Sequence, residues 1–311
     1  MITMTMRSPY RLGAAVALCG LLAGCGERKS PAPERTFATP EEAATALVAA
    51  AERFDVPELK AILGPEGEPL VASADSVADH NHATAFAAEA RLQQRLEFDS
   101  SRTSAVLIVG LQDWPMPIPI VAKDDRWYFD AAAGAEEVLR RRIGQNELDA
   151  ITMCLGYVEA QRQYALVRRD GALVNQYAQR VISTPGTQDG LAWQAADGTW
   201  EGPVGESIAR IITEGYSDRS QPFHGYYYKI LKGQGPDAPL GEMNFMVEGA
   251  MIGGFALVAA PAEYGVTGIQ TFIVSWEGVV YQKDLGDATL ESFRTMELYN
   301  PDSTWTPVEQ P

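Results

Sequence analysis

Cysteine placement sets the terms on which this chain can fold. Of its three cysteines, Cys19 lies in a short N-terminal apolar run and Cys25 just past its end, and only Cys154 lies in the rest of the chain. A body with one thiol cannot staple itself with an internal disulfide, even in an oxidising compartment. Core packing has to hold it, and a chain of nearly 290 residues can bury enough apolar surface to do so. The first 24 residues read as an export signal rather than structure. Arg7 and Arg11 give it a positive start. Residues 12–23 form an apolar stretch too short to cross the ~30 Å hydrocarbon layer as a helix. No later stretch approaches 18 continuous apolar residues.

The run ends in Leu22-Ala23-Gly24-Cys25, which resembles the lipobox of bacterial lipoproteins. The resemblance implies lipid attached to the Cys25 thiol and cleavage in front of it. The mature protein would then be held by more than one acyl chain, enough for stable anchoring. Gly26, not Asp, follows the cysteine, so the expected address is the periplasmic side of the envelope, with the outer membrane favoured over the inner. Residues 25–36, with prolines at 31 and 33, read as a tether.

All 41 acidic residues lie beyond Gly26, while two of the 25 basic ones precede Cys25, which leaves 23 against 41, or −18. A surface of that sign repels nucleic acid and anionic lipid head groups, and no basic run offsets it. A nucleic-acid partner is therefore excluded. The expected membrane contact is the lipid on Cys25.

Thr39-Pro40-Glu41-Glu42 reads as a helix start, with a capping threonine, a first-turn proline and two acids at the positive end of the dipole. A short helix at 56–63 stops at Gly64-Pro65, and residues 70–97 read as helical for much of their length. Strands follow at 104–110 and 126–130, with an extended segment between them at 115–122. Residues 37–133 thus form a small α+β unit, similar in outline to cystatin-like and nuclear-transport-factor-like folds. A second α+β unit is expected over 134–299. It has a helix at 136–143, a cap or kink at Gly144, and a clear helix from 146 to about 167 that lines up Ile151, Cys154, Leu155 and Val158. Periodicity continues as helix over 174–182 and again over 204–216. Strands are expected at 225–231, 243–247, 255–259, 271–274 and 279–281, and residues 300–311 read as a frayed tail.

DWPMPIPIV at 113–121, IGQNELDAI at 143–151, HGYYYKIL at 224–231 and the long segment from Met251 to Gly286 resemble the bacterial family known as domain of unknown function 2950. That likeness runs over roughly 37–308 and implies no activity. Asn146-Glu147, Ala150-Ile151, Ala160-Gln161 and Tyr164, with Gly225-Tyr226, Ala259-Ala260-Pro261 and Thr267-Gly268 further on, are also similar to pilin-like headpieces. This implies a long helix on an antiparallel sheet. No apolar stalk precedes Asn146, only Arg140-Arg141-Arg142, so filament assembly through such a stalk is not implied.

Candidate chemistry is sparse. His80 and His82 are two residues apart and cannot share a helix face, and no ligand spacing accompanies them, so no metal is expected. Cys154 sits on an apolar helix face, where a thiol is a small core residue. His224 ahead of Tyr226, Tyr227 and Tyr228 is more suggestive. In a strand, Tyr226 and Tyr228 share one side and, with Trp193 and Trp200, could stack on a sugar ring or on a partner's side chains. Glu263 sits in a turn-rich loop before Thr267-Gly268. With His224 and the loop 189–200 it is the nearest catalytic candidate. No nucleophile elbow, phosphate loop or dinucleotide fingerprint is present, and no cofactor is expected. Three readings remain open. They are a non-enzymatic binding or assembly module with an envelope protein or glycan partner, a cell-wall-acting hydrolase, and a structural or filament-accessory protein.

Overall fold

The computed structural model describes residues 35–216 and 221–309. The signal, Cys25 and residues 25–34 of the tether lie outside the described residues. The described body is α+β, and its first half starts with capped helices. Thr39 takes the Glu42 N–H at 3.2 Å to open α1 (Pro40–Glu52), and the Glu42 side chain reaches back to the Ala38 N–H at 3.1 Å. Asp55 opens α2 (Val56–Leu63), which Gly64 ends at φ +69°. A one-turn α3 (Glu68–Val71) leads to α4 (Ser76–Leu92), capped by Asp75. These helices cover an antiparallel sheet in the order β1-β2-β4-β5, built from β1 (Gln94–Phe98), β2 (Ser104–Val109), β4 (Ile120–Lys123) and β5 (Arg126–Phe129), with β3 (Trp114–Pro115) paired to β2. Leu47, Ile62, Leu107, Ile120 and Phe129 fill the space between.

Helix α5 (Ala131–Tyr164) links this core to the next. Asp130 caps it, and it runs unbroken for 34 residues. Gly144 therefore does not cap it, because one glycine costs only about 1 kcal/mol, less than the packing on either side supplies. The expected boundary at 133/134 falls inside this helix. Ala131 belongs to the first core, and Ala150, Cys154, Tyr157 and Val158 belong to the second.

The second core lies between α5 and an antiparallel sheet of order β17-β16-β15-β14-β9. Its strands are β9 (Tyr226–Leu231), β14 (Ala256–Pro261), β15 (Gln270–Ser275), β16 (Val280–Asp284) and β17 (Thr306–Pro307). Tyr228, Ala259 and Phe272 share one register row and face the helix. Tyr227 faces the other way and stacks on Phe293 of α7 (Thr289–Thr295) at 6.2 Å. A small sheet, β6 (Arg180–Ile182), β7 (Gly190–Gln194) and β8 (Trp200–Glu201), precedes α6 (Gly205–Thr213). Two short hairpins follow β9, pairing β10 (Gly233–Gln234) with β11 (Met243–Asn244) and β12 (Met246–Val247) with β13 (Ala250–Met251).

Three sequence expectations need correction. Residues 174–182 are not helical. The Gln161 side chain binds both the N–H and the C=O of Ala178, each at 2.8 Å, so a side chain takes the backbone pairing a helix would have supplied. The polar stretch after Leu92 is strand β1, not more helix. The tail is not frayed through its described part, because β17 pairs with β16 and the Val308 N–H reaches the Val280 carbonyl at 2.8 Å.

Candidate functional site

A polar cluster sits where the two halves meet. Its floor is one face of α5, where Arg142, Asn146 and Asp149 recur at helical spacing. Arg142 donates to the carbonyls of Pro69 and Leu70 at 2.8 and 2.7 Å and lies 3.8 Å from Asp79. Asn146 donates to the Thr267 carbonyl at 2.9 Å. The neighbouring Glu147 accepts the N–H groups of Ile269 and Gln270 at 3.0 and 2.9 Å. Asp149 holds His224 Nδ1 at 2.9 Å, and Glu214 faces Nε2 at 3.5 Å.

His224 and Gly225 form the tip of a tight turn with φ +49° and +75°. Phe223 and Tyr226 exchange both backbone hydrogen bonds around it, at 2.8 and 3.1 Å. A two-residue turn with both φ positive belongs to asparagine-glycine by preference, so histidine at the first position carries backbone strain. Stacking on Phe223 at 4.1 Å and the two carboxylates hold it there. Asp75, only 2% exposed, ties the turn to the first half. It caps α4 through Ala78 and accepts the Gly225 N–H at 2.8 Å and the Tyr216 hydroxyl at 3.1 Å. Burial, then the Asp75 charge, pushes the Tyr216 phenol well above its ordinary range. Burial also raises Asp79, despite the hydrogen bonds from Ser73 and the nearby Arg142.

The sequence candidates are scattered by comparison. Glu263 is exposed and accepts the Ala74 N–H at 3.2 Å. It lies on the Arg142 side of the cluster and makes no described contact with His224. Tyr226 is fully buried, its hydroxyl on the Gln270 carbonyl at 2.9 Å. The Tyr228 hydroxyl is buried beneath α5 and has no hydrogen-bond partner among the described residues. Trp193 and Trp200 lie in another sheet, on β7 and β8. Trp193 donates to Glu201 at 3.0 Å and lies under the Arg169 guanidinium at 5.3 Å. Asp189 is taken up by Thr184, Thr187 and Arg180. His80 packs edge-on against Phe54, 5.2 Å away. Among the described residues, no three His, Cys, Asp or Glu side chains are placed to hold a metal. The residues sequence reasoning missed are Asp75, Asp149 and Glu214, acids that nothing local distinguishes.

Two shallow hollows lie elsewhere, one between α1 and β1 lined by Glu41, Thr45 and Arg95, the other on β1 and β2 beside Pro115. Neither includes a residue of the His224 cluster.

Fold and site together define an α+β protein whose polar centre joins two cores. The chain belongs to the family described as Protein of unknown function (DUF2950), whose model matches residues 34–308. No curated protein and no solved structure matches it.

Proposed function

We propose that this is a lipid-anchored, non-enzymatic binding module on the periplasmic side of the cell envelope, held through Cys25 and carrying its body on a short tether. One observation carries the non-enzymatic part. The groups that could do chemistry at the polar centre are already committed to one another. Asp75 accepts three donors, and both ring nitrogens of His224 face carboxylates. Asp149 holds Nδ1 at 2.9 Å, and Nε2 lies 3.5 Å from the Glu214 carboxylate rather than beside a nucleophile, which favours a structural role for the ring. The cluster thus acts as a clasp, which leaves function to the surface.

The test compares wild type with Cys25→Ala in intact cells. The wild-type chain is expected to incorporate a labelled fatty acid and to lose its first 24 residues, and the variant to do neither. Photocrosslinking of the wild type should give discrete adducts with envelope proteins. Equal labelling of the two chains would overturn the anchor.

A second reading, a cell-wall-acting hydrolase, has one observation in its favour. His224 is gathered with two carboxylates, and one of them, Asp149, acts on the buried Tyr228 hydroxyl, which has no hydrogen-bond partner among the described residues. If it holds, purified protein releases soluble fragments from peptidoglycan, and His224→Ala and Asp149→Asn abolish release while remaining folded. Absence of release by wild type sinks it.

A further inference from the structure

The two outer edges of the first sheet differ. At one, Phe37 and Trp127 exchange both backbone hydrogen bonds, at 2.8 and 2.9 Å, and close off β5. At the other, β1 pairs with β2 alone among the described residues. The Gly110 N–H on the Gln93 carbonyl at 2.9 Å and the Asp99 N–H on the Ser104 carbonyl at 3.0 Å fix the phase of that pairing. Arg95 and Glu97, at alternate positions between them, therefore turn their backbone toward β2. The N–H and C=O groups of Gln94, Leu96 and Phe98 turn outward and have no hydrogen-bond partner among the described residues. Leu107, opposite Leu96, agrees with this phase, since it takes the Met116 N–H on its far side at 2.8 Å.

An open edge of this kind is a template for a further strand. Beside it lies the hollow between α1 and β1, lined by Ala44, Leu96, Phe98 and Leu107 among others, so an added strand finds apolar contact as well as backbone partners. Charged side chains ordinarily guard such an edge. Here the guards are Arg95 and Glu97, on either side of Leu96 and 43% and 58% exposed. When two copies of β1 lie antiparallel about Leu96, Arg95 comes opposite Glu97 of the second copy, and Glu97 opposite its Arg95. Gln94 then meets Phe98, Leu96 meets Leu96, and every outward N–H and C=O acquires a partner. Arg95 already holds Glu97 of its own strand at 2.7 Å and Asp113 of the neighbouring turn. Pairing extends the first of these contacts into a ring of four alternating charges.

We propose that this edge joins two copies of the chain into a two-fold dimer, β1 against β1, in which the two sheets become one. The proposal goes beyond the binding-module reading and does not depend on it. Net charge does not select the occupant, because Glu41, Glu52, Glu97, Asp99 and Asp113 outnumber Arg91 and Arg95 around the edge. Position does. A basic strand would set a cation opposite Arg95, whereas a strand with an acid and a base two residues apart in reverse order satisfies both guards, and β1 is itself such a strand. The contact is isologous and closes at two copies.

Sedimentation velocity of the chain from Gly26 onward is the first test. At about 150 mM salt the repulsion between two acidic bodies is screened beyond about 8 Å, while charges directly opposite each other still interact. Between about 5 and 200 μM, a range suited to a micromolar dimer, a monomer–dimer equilibrium is expected. Arg95→Glu sets acid against acid across the pair and Glu97→Arg sets base against base, so each should weaken the dimer roughly tenfold or more. Mixed one to one, the two variants complement each other and should recover a heterodimer of near wild-type affinity. Matched thermal melts will show that both fold. A wild type that stays monomeric throughout overturns the proposal. So does a dimer that survives both substitutions, or a mixture that fails to recover. A second test uses the full chain in cells and needs no charge variant. Leu96→Cys puts two thiols on the two-fold axis with Cα atoms about 5.5 Å apart, within disulfide reach, and should crosslink on mild oxidation. Leu92→Cys, at a position 65% exposed but off the axis, should not. Equal crosslinking of the two variants, or none in either, overturns the proposal.

Discussion

Gly225 has to be glycine for two independent reasons. Its φ of +75° is one that L side chains adopt only with strain. A Cβ there would also lie 2.4 Å from Asn146 Nδ2, which is itself committed to Thr267. Gly225→Ala should therefore cost about 2–4 kcal/mol, combining backbone strain with a broken buried hydrogen bond, measured by urea unfolding. A loss within error would mean that the turn readjusts freely. Asp79 gives a signed pH dependence. Burial raises its folded pKa, so its contribution to stability is fully present below the unfolded-state value and is lost as pH rises through the folded one. Asp79→Asn escapes that loss. Its stability relative to wild type should therefore increase between pH 4 and 7, in matched denaturant titrations. A gap that stays flat or closes would mean that Arg142 and Ser73 outweigh desolvation. Cys154 offers a simpler check. Burial pushes its thiol up to about 12, so almost no thiolate exists at neutral pH. The body from Gly26 onward should be unreactive to a thiol reagent when native and should give one equivalent in denaturant.

At the scale of elements, three glycines of α5 separate cleanly. A Cβ at Gly144 or Gly156 would meet nothing within 4 Å, whereas at Gly134 it would lie 2.5 Å from the Pro117 carbonyl oxygen. Gly144→Ala and Gly156→Ala should each stabilise by roughly 0.5–1 kcal/mol through helix propensity and a less mobile unfolded chain. Gly134→Ala should destabilise, since rigid backbone cannot yield. Thermal melts of the three variants decide it, and a destabilising Gly144→Ala would mean that α5 bends at that position. Sequence reading found helices where local chemistry marked them, as at Thr39 and Gly64. It also found the strands of the second sheet wherever β-branched and aromatic residues clustered. It failed where the deciding partner was distant. Residues 174–182 have helical periodicity, but Gln161 claims Ala178. Strand β1 is an edge strand with mostly solvated side chains, so it lacks the apolar alternation that announces strands. The site was legible only in part for the same reason. His224 stood out beside its tyrosines, but Asp149 lies 75 residues away and Asp75 pairs with Gly225 across 150.

Taken whole, the molecule has two apolar cores and few ways to couple them. Helix α5 spans both, at about 50 Å for 34 residues at 1.5 Å each. A helix alone transmits little, because it can fray from one end while packed at the other. The clasp is a second connection that bypasses α5, since Asp75 accepts the Gly225 N–H and the Tyr216 hydroxyl, and Asn81 donates to the Glu214 carbonyl at 3.1 Å. If it supplies the coupling, the wild-type body unfolds in one calorimetric transition with equal calorimetric and van't Hoff enthalpies. Asp75→Ala removes a cap and strands the Gly225 N–H and the Tyr216 hydroxyl, at a cost of about 2–4 kcal/mol. Combined with Asn81→Ala, it should split the transition in two, with the calorimetric enthalpy exceeding the van't Hoff value. A double variant that still melts in one transition, merely at lower temperature, would place the coupling in α5 and reduce the clasp to local stability. The split outcome would explain the strained histidine turn, because a residue held in so unfavourable a backbone conformation has to be over-determined by its surroundings. Here those surroundings come from both halves of the chain.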